Sequence, residues 1–236
     1  MPNPYFRFKK FTVYHDRCAM KVGTDGVLLG AWVHVLGENV LDVGTGTGLI
    51  SLMMAQRNDK VAIDAIDIDG DAVSQAKDNI DNSPFGNRIK CWNASLQEFS
   101  SKVEKRYDVI VSNPPFFVQS LKSPNKERSL ARHTDSLPIE DLIGLSASLL
   151  SQAGRISFIY PYDYKAELMK LAEEHNLSVS RITNVLPTLD SAPKRILLEL
   201  AKEKVLPTEN DLVIEKERHV YSEGFTSLLK DFYLKM

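Results

Sequence analysis

Two rhythms of apolar and polar positions run through this chain. Short runs of strand length in which apolar, often β-branched residues predominate fall at 39–43, 61–69, 88–92, 107–112 and 155–160. Such runs suit strands buried on both faces, as in a parallel sheet. Between them, apolar residues recur at helical spacing. The first helix has Val27, Leu28, Ala31, Trp32 and Val35 on one face, with Thr24 or Asp25 as its cap. Further helices are predicted at 49–56, 70–82 (capped by Asp69), 96–101, 137–152 (opening with Pro138) and 164–175. Two last strands, 177–185 and 195–200, read as an antiparallel pair. The tail from 205 adds a strand at 212–215 and a closing amphipathic helix.

Alternating strand and helix implies an α/β fold. The expected form is a doubly wound, mostly parallel seven-stranded sheet with one antiparallel strand and helices on both faces. A length of 236 residues fits one domain spanning 1–236, with a basic N-terminal extension at about 1–22 and a C-terminal appendage at about 205–236. No internal repeat, coiled coil or low-complexity tract is present, and no obligate protein partner is evident. The start has no apolar signal-peptide core and no run approaches 18 apolar residues, so a cytoplasmic location without membrane association is expected. Cys18 and Cys91 lie far apart, with no His or Cys at ligand spacing, so neither a disulfide framework nor a metal is expected. The net charge of −2 provides no global positive field, and a nucleic-acid partner would need a local basic patch. Candidates are Arg7, Lys9, Lys10 and Arg17, interleaved with aromatic residues, and Lys122, Lys126, Arg128 and Arg132 in the long polar loop 117–136. For the first 22 residues a short hairpin packed on the domain is the simpler expectation.

The candidate chemistry falls at the predicted C-terminal ends of the strands, where open α/β sheets bind ligands. Asp42 heads a turn with glycines at 44, 46 and 48, between a strand and a helix. Bare backbone lets a nucleotide-like ligand lie close, but the spacing is not the Gly-x-Gly-x-x-Gly of dinucleotide sites. A carboxylate near the ligand suits a cation, and S-adenosylmethionine, with its ammonium and sulfonium, fits better than NAD. Asp67, followed by Ile68, lies 19 positions past Gly48 and is placed to accept from both ribose hydroxyls. Ala94 and Ser95 follow the third strand, level with the adenine of such a cofactor, although Ser95 also suits a helix cap. Thr24 and Asp25, between Gly23 and Gly26, complete the candidate cofactor residues together with Lys21 and Asn113.

Asn113-Pro114-Pro115-Phe116 leaves the tip of the fourth strand. Two prolines force a stiff, extended exit. The Asn113 side chain and the Pro114 carbonyl offer two acceptors for an exocyclic amine, and Phe116 offers a face for a planar base. A base within stacked RNA would have to be flipped out to reach them.

The pairing of Asp-Val-Gly-Thr-Gly-Thr-Gly at 42–48 with Asn-Pro-Pro-Phe at 113–116 resembles class I S-adenosylmethionine-dependent methyltransferases acting on planar amines. The stretch from His15 to Trp32, the Tyr221-Ser-Glu segment and the closing Phe232-Tyr-Leu resemble a narrower group, the bacterial tRNA1(Val) adenine-N6 methyltransferases. The fourth motif of the family often ends in Tyr where Phe116 stands here. The resemblance covers essentially the whole chain and implies a Rossmann-like fold, S-adenosylmethionine as cofactor, tRNA as partner and an adenine beside the anticodon as target. The same motif also serves methylation of protein glutamine N5 and of guanine N2 in ribosomal RNA. A non-catalytic RNA-binding module on this fold is the alternative of a different kind.

Overall fold

The computed structural model describes residues 3–18, 20–116 and 137–235. Five consecutive parallel strands form the centre: β3 (Asn39–Val43), β4 (Ala62–Asp67), β5 (Ile89–Asn93), β6 (Tyr107–Ser112) and β7 (Leu150–Pro161). An N-terminal hairpin of β1 (Tyr5–Arg7) and β2 (Thr12–Tyr14) precedes them. After them come β8 (Ser178–Thr188), β9 (Arg195–Ala201), β10 (Thr208–Glu217) and β11 (Val220–Tyr221). The main sheet runs β11-β10-β8-β9-β7-β6-β3-β4-β5. β9 inserts antiparallel between β7 and β8.

The helices are α1 (Thr24–Trp32), α2 (Leu49–Arg57), α3 (Gly70–Asp81), α4 (Leu96–Lys102), α5 (Ile139–Leu149), α6 (Lys165–Glu174) and α7 (Glu223–Leu229). They divide between the two faces because the strands are apolar on both. Val109 and Val111 of β6 join one core, with residues of α1, α2, α3 and α7. Ile110 joins the other, with residues of α4, α5 and α6 and with Tyr107 at the start of the strand. Alternation over 109–111 thus feeds two hydrophobic layers. The hairpin adds Phe8, Phe11 and Val13 to the first core.

Three expectations are corrected. The main sheet has nine strands rather than seven, because the appendage does not stop at a short strand: β10 pairs in parallel along β8 and β11 turns back antiparallel on it. The helix expected over 137–152 ends at Leu149, and β7 starts at once, with Leu150 opposite Tyr107. A register shift between Tyr107 and Val109 absorbs the extra residues, and Gly154 fits where a Cβ would meet the Tyr107 carbonyl at 2.8 Å. α1 ends at Trp32, and its cap is Gly23, with no side-chain cap bond from Thr24 or Asp25. Asp69 does cap α3, accepting from the Asp71 amide at 2.9 Å.

Parallel register sets the geometry of the site. Val43 is paired with Ile66 and with Ser112, and Asp67 with Asn93, so four strand tips end at one sheet edge. Gly48 starts α2 with φ +79°, and a Cβ there would approach Ile80 and Ala76 of α3 at 3.3 and 3.4 Å. Left-handed backbone costs a non-glycine residue roughly 1–2 kcal/mol, and crowding α3 adds to that. Gly48→Ala is therefore expected to destabilise the protein by about 1–3 kcal/mol, read as a lower urea midpoint at unchanged slope. An unchanged midpoint would contradict this account of the α2–α3 approach.

Candidate active site at the strand tips

A cavity of about 400 Å³ opens at this edge. Its wall includes Gly44, Gly46, Asp67, Ile68, Ala94, Ser95, Asn113, Pro114 and Pro115, drawn from the tips of β3, β4, β5 and β6. The glycine turn is latched to β4, with the Gly44 and Thr45 amides donating to the Ile66 carbonyl at 2.9 and 3.0 Å. Gly44 and Gly46 have φ +69° and +56°, and a Cβ on either would meet nothing within 4 Å. The turn thus presents bare backbone to open space, which is what close approach of a ligand requires.

Asp67 holds its position through its own hydrogen bonds. Its Oδ2 accepts from the Gly46 amide at 2.8 Å and its Oδ1 from the Asp69 amide at 3.0 Å. Burial raises its pKa, and these amides work against that rise. The Asn93 side chain donates to the Asp67 and Ile68 carbonyls at 3.1 and 2.9 Å and ties the acidic tip to the next strand. Asp64, by contrast, is a structural residue of the strand interior. It accepts from Lys105, the Tyr107 hydroxyl and Trp92 at 2.9, 2.9 and 3.0 Å. Ser95 lines the cavity and also forms a reciprocal capping box with Glu98 at the start of α4.

Other candidates stand elsewhere. Lys21, Thr24, Asp25, Asp42, Gly48 and Phe116 do not line the cavity. Asp42 is fully buried, because strand alternation turns it toward α2, beneath the turn. Its Oδ2 accepts from Thr45 Oγ1 at 2.7 Å, Ser51 Oγ at 2.6 Å and the Ser51 amide at 3.2 Å. Its Oδ1 has no partner among the described residues. Asp42 therefore ties the turn to the first helical residues after it. Asp25 pairs with Arg195 at 2.8 Å. Gly26 of α1 brings the helix close to Asn113, whose Nδ2 would lie 3.8 Å from a Cβ there.

Two wall residues, Cys18 and Met20, come from the N-terminal segment and are not among the candidates the sequence singles out for the site. The segment is held across α3 by Asn79, which accepts from the Tyr14 amide and donates to the Tyr14 and Thr47 carbonyls. Gln75 accepts from the Arg17 amide. The available signal is two amides, Gln75 and Asn79, on the same buried face of α3 as Ala72, Ala76 and Ile80, but it needs the third dimension to be read. Of the basic candidates, Arg7, Lys9 and Lys10 are exposed on the hairpin, Lys9 donating to the Lys230 carbonyl, and Arg17 pairs with Asp78. Lys122, Lys126, Arg128 and Arg132 lie outside the described residues. Among the described residues, no cluster of His, Cys, Asp and Glu is placed to hold a metal, and no helix is long and apolar enough to cross a membrane.

Burial pushes the Asp42 carboxyl up to about 6, against the pull of its bonds from Ser51 and Thr45. Its native pKa exceeds the unfolded value of about 3.9, so the native state holds this proton more tightly. That contribution is full below about pH 4 and is lost as pH rises through about 6. Relative to Asp42→Asn, the wild-type protein should lose on the order of 3 kcal/mol of stability between pH 4 and pH 7, measured by urea titration across that range. A difference independent of pH would contradict it.

The comparisons with known proteins agree with this geometry. The methyltransferase small domain model matches residues 20–170. A crystal structure of a predicted O-methyltransferase of Agrobacterium tumefaciens superposes with a TM-score of 0.68 at 17% identity, covering 88% of this chain and 96% of that one. A ribosomal protein L11 methylase of Lactobacillus delbrueckii subsp. bulgaricus gives 0.53 at 19% identity, covering 76% and 77%. At such identities these likenesses establish the fold. In sequence, the chain is 54% identical to the tRNA1(Val) (adenine(37)-N6)-methyltransferase of Parabacteroides distasonis and 52% identical to that of Phocaeicola vulgatus, covering 100% of both chains in each case. It is 48% identical to the protein so named in Trichodesmium erythraeum, over 98% of each chain. With a carboxylate-anchored glycine turn, an acidic second tip and an Asn-Pro-Pro exit sharing one cavity, and with relatives this similar over their full length, the chain belongs to the tRNA1(Val) (adenine(37)-N6)-methyltransferase family.

Proposed function

We propose that this protein transfers a methyl group from S-adenosylmethionine to the exocyclic N6 of an adenine in tRNA, the adenine 3′-adjacent to the anticodon of tRNA1(Val). The observation that carries this reading is the placement of Asn113 and Pro114 in the wall of the same cavity as Gly44, Gly46 and Asp67. The names of the full-length relatives support the choice of substrate. The chain reads as one methyltransferase domain over 1–236, working in the cytoplasm, with 1–22 and 205–236 as its extensions.

The cavity suits the cofactor. Asp67 and Ile68 would receive the ribose, Ala94 and Ser95 the adenine, and the open backbone at Gly44 and Gly46 the amino-acid portion. When bound, S-adenosylmethionine supplies an electrophilic methyl on a sulfonium and leaves as S-adenosylhomocysteine. The work of the chain lies on the amine side. An adenine N6 lone pair is delocalised into the ring and is a poor nucleophile. The Asn113 side-chain oxygen and the Pro114 carbonyl accept the two amino hydrogens, favour a pyramidal nitrogen and stabilise the positive charge that develops on it. The stiff Pro-Pro backbone holds these acceptors before the reaction, so little reorganisation is needed. No strong base is required, because the alkylated ammonium is acidic and gives up its proton readily. Arg7, Lys9, Lys10 and Arg17 are the described candidates for phosphate contacts, and Lys122, Lys126, Arg128 and Arg132 are candidates outside the described residues.

Asn113→Ala should lower kcat by about a hundredfold or more, comparable to removing one preorganised donor from an oxyanion hole, while cofactor affinity by calorimetry stays within severalfold. Turnover at the wild-type rate would remove Asn113 from the catalytic role.

A further inference from the structure

Phe116 is held from one side by a charge. The Arg195 guanidinium carbon lies 4.5 Å from the centroid of its ring. Arg195 is the first residue of β9 and stands opposite Pro161 of β7 and Val185 of β8, so its backbone is fixed from both neighbours. Its Nε donates to Asp25 Oδ2 at 2.8 Å, and its Nη1 to the Lys194 carbonyl at 3.0 Å. Tyr160 meets Phe116 edge-on, with centroids 6.0 Å apart and planes at 72°, and Tyr164 meets Tyr160 at 81°. None of Asp25, Phe116, Tyr160 and Arg195 lines the cofactor cavity. Phe116 follows directly on the wall residue Pro115, three positions past Asn113.

An unbraced phenyl ring at the end of an Asn-Pro-Pro-Phe exit could turn about its own side-chain bonds. A base received on it would then have no fixed plane, and its amine no fixed distance from Asn113. A guanidinium is planar and stacks on aromatic faces, and a carboxylate bound to Nε sets the direction of that plane. Lysine would supply the charge without the plane. We propose that Arg195, anchored by Asp25, is a substrate-positioning residue: it fixes the Phe116 ring so that a flipped purine is received on the opposite face with its amine at Asn113. This rests on the reading of Phe116 as the stacking surface for the target base. It also gives Asp25, a candidate for the cofactor, a role on the substrate side.

The test uses the full chain, tRNA lacking the modification, and Arg195→Ala, Arg195→Lys, Phe116→Leu and the Arg195→Ala/Phe116→Leu double variant. Steady-state kinetics separate kcat from KM for tRNA, and calorimetry gives cofactor affinity. Arg195→Ala should lower kcat at least tenfold with cofactor Kd within twofold, and Arg195→Lys should recover only a minor part. With Leu at 116 the ring is gone, so removing Arg195 should then change kcat less than twofold. An equal loss in both backgrounds, an effect on KM for tRNA alone, an unchanged kcat, full recovery by Lys, or a matching loss of cofactor binding would each overturn the role of Arg195. Phe116→Leu at the wild-type rate would remove it together with the stacking role. Wild-type protein that methylates no RNA would instead remove the underlying reading of function.

Discussion

The turn between β3 and α2 has to leave its backbone bare toward a ligand and still keep its shape, and the buried Asp42 carboxylate reconciles the two demands. Three glycines have positive φ, of which Gly44 and Gly46 give the bare surface and Gly48 admits α3, but such a sequence is loose on its own. One carboxylate oxygen gathers Thr45 and Ser51 from either side of Gly46 and Gly48 and closes the turn from below. The price is a charged group wholly removed from water, which appears as a carboxyl pushed up to about 6. Everything at the edge is referred to this turn: Asp67 through the Gly46 amide, the N-terminal segment through Asn79 and the Thr47 carbonyl, and α3 through its close approach to Gly48.

From this turn the site divides into two halves with different physics. The cofactor half is a cavity walled by the open glycine backbone, by apolar side chains such as Ile66, Ile68 and Leu96, and by the carboxylates of Asp67 and Asp69, built on four strand tips in register. The amine half, as proposed, is built on a stiff exit, where two acceptors would need no movement and an aromatic ring would need a brace. The brace comes from β9, the strand inserted antiparallel between β7 and β8. The strand reversed between β7 and β8 thus brings Arg195 against the Phe116 ring.

Much of this was legible in the sequence, for identifiable reasons. Runs buried on both faces betray parallel strands, and the glycine turn, Asp67 and Asn-Pro-Pro-Phe announce the edge where they meet. Asp69 showed itself as a cap and Asp64 as an interior residue. Other features depend on contacts between distant segments. Asp42 reads as facing a ligand until alternation along β3 is seen to turn it under the turn. Cys18 and Met20 reach the cavity only because Gln75 and Asn79 hold their segment. Asp25, which looks like a helix cap, is engaged by an arginine far along the chain. The length of β10 is not legible in the sequence because it lies along β8 with little apolar pattern of its own: most of its residues are exposed or half-buried, and Leu212 is the buried exception.

The central claim is that Asn113 and Pro114 serve an adenine amine. The most direct measurement is methyl transfer from labelled S-adenosylmethionine to total tRNA from cells lacking this enzyme, followed by nucleoside analysis. Label in N6-methyladenosine, concentrated in a valine tRNA, is the predicted result. Label in another nucleoside, or in protein glutamine with none in tRNA, would contradict it.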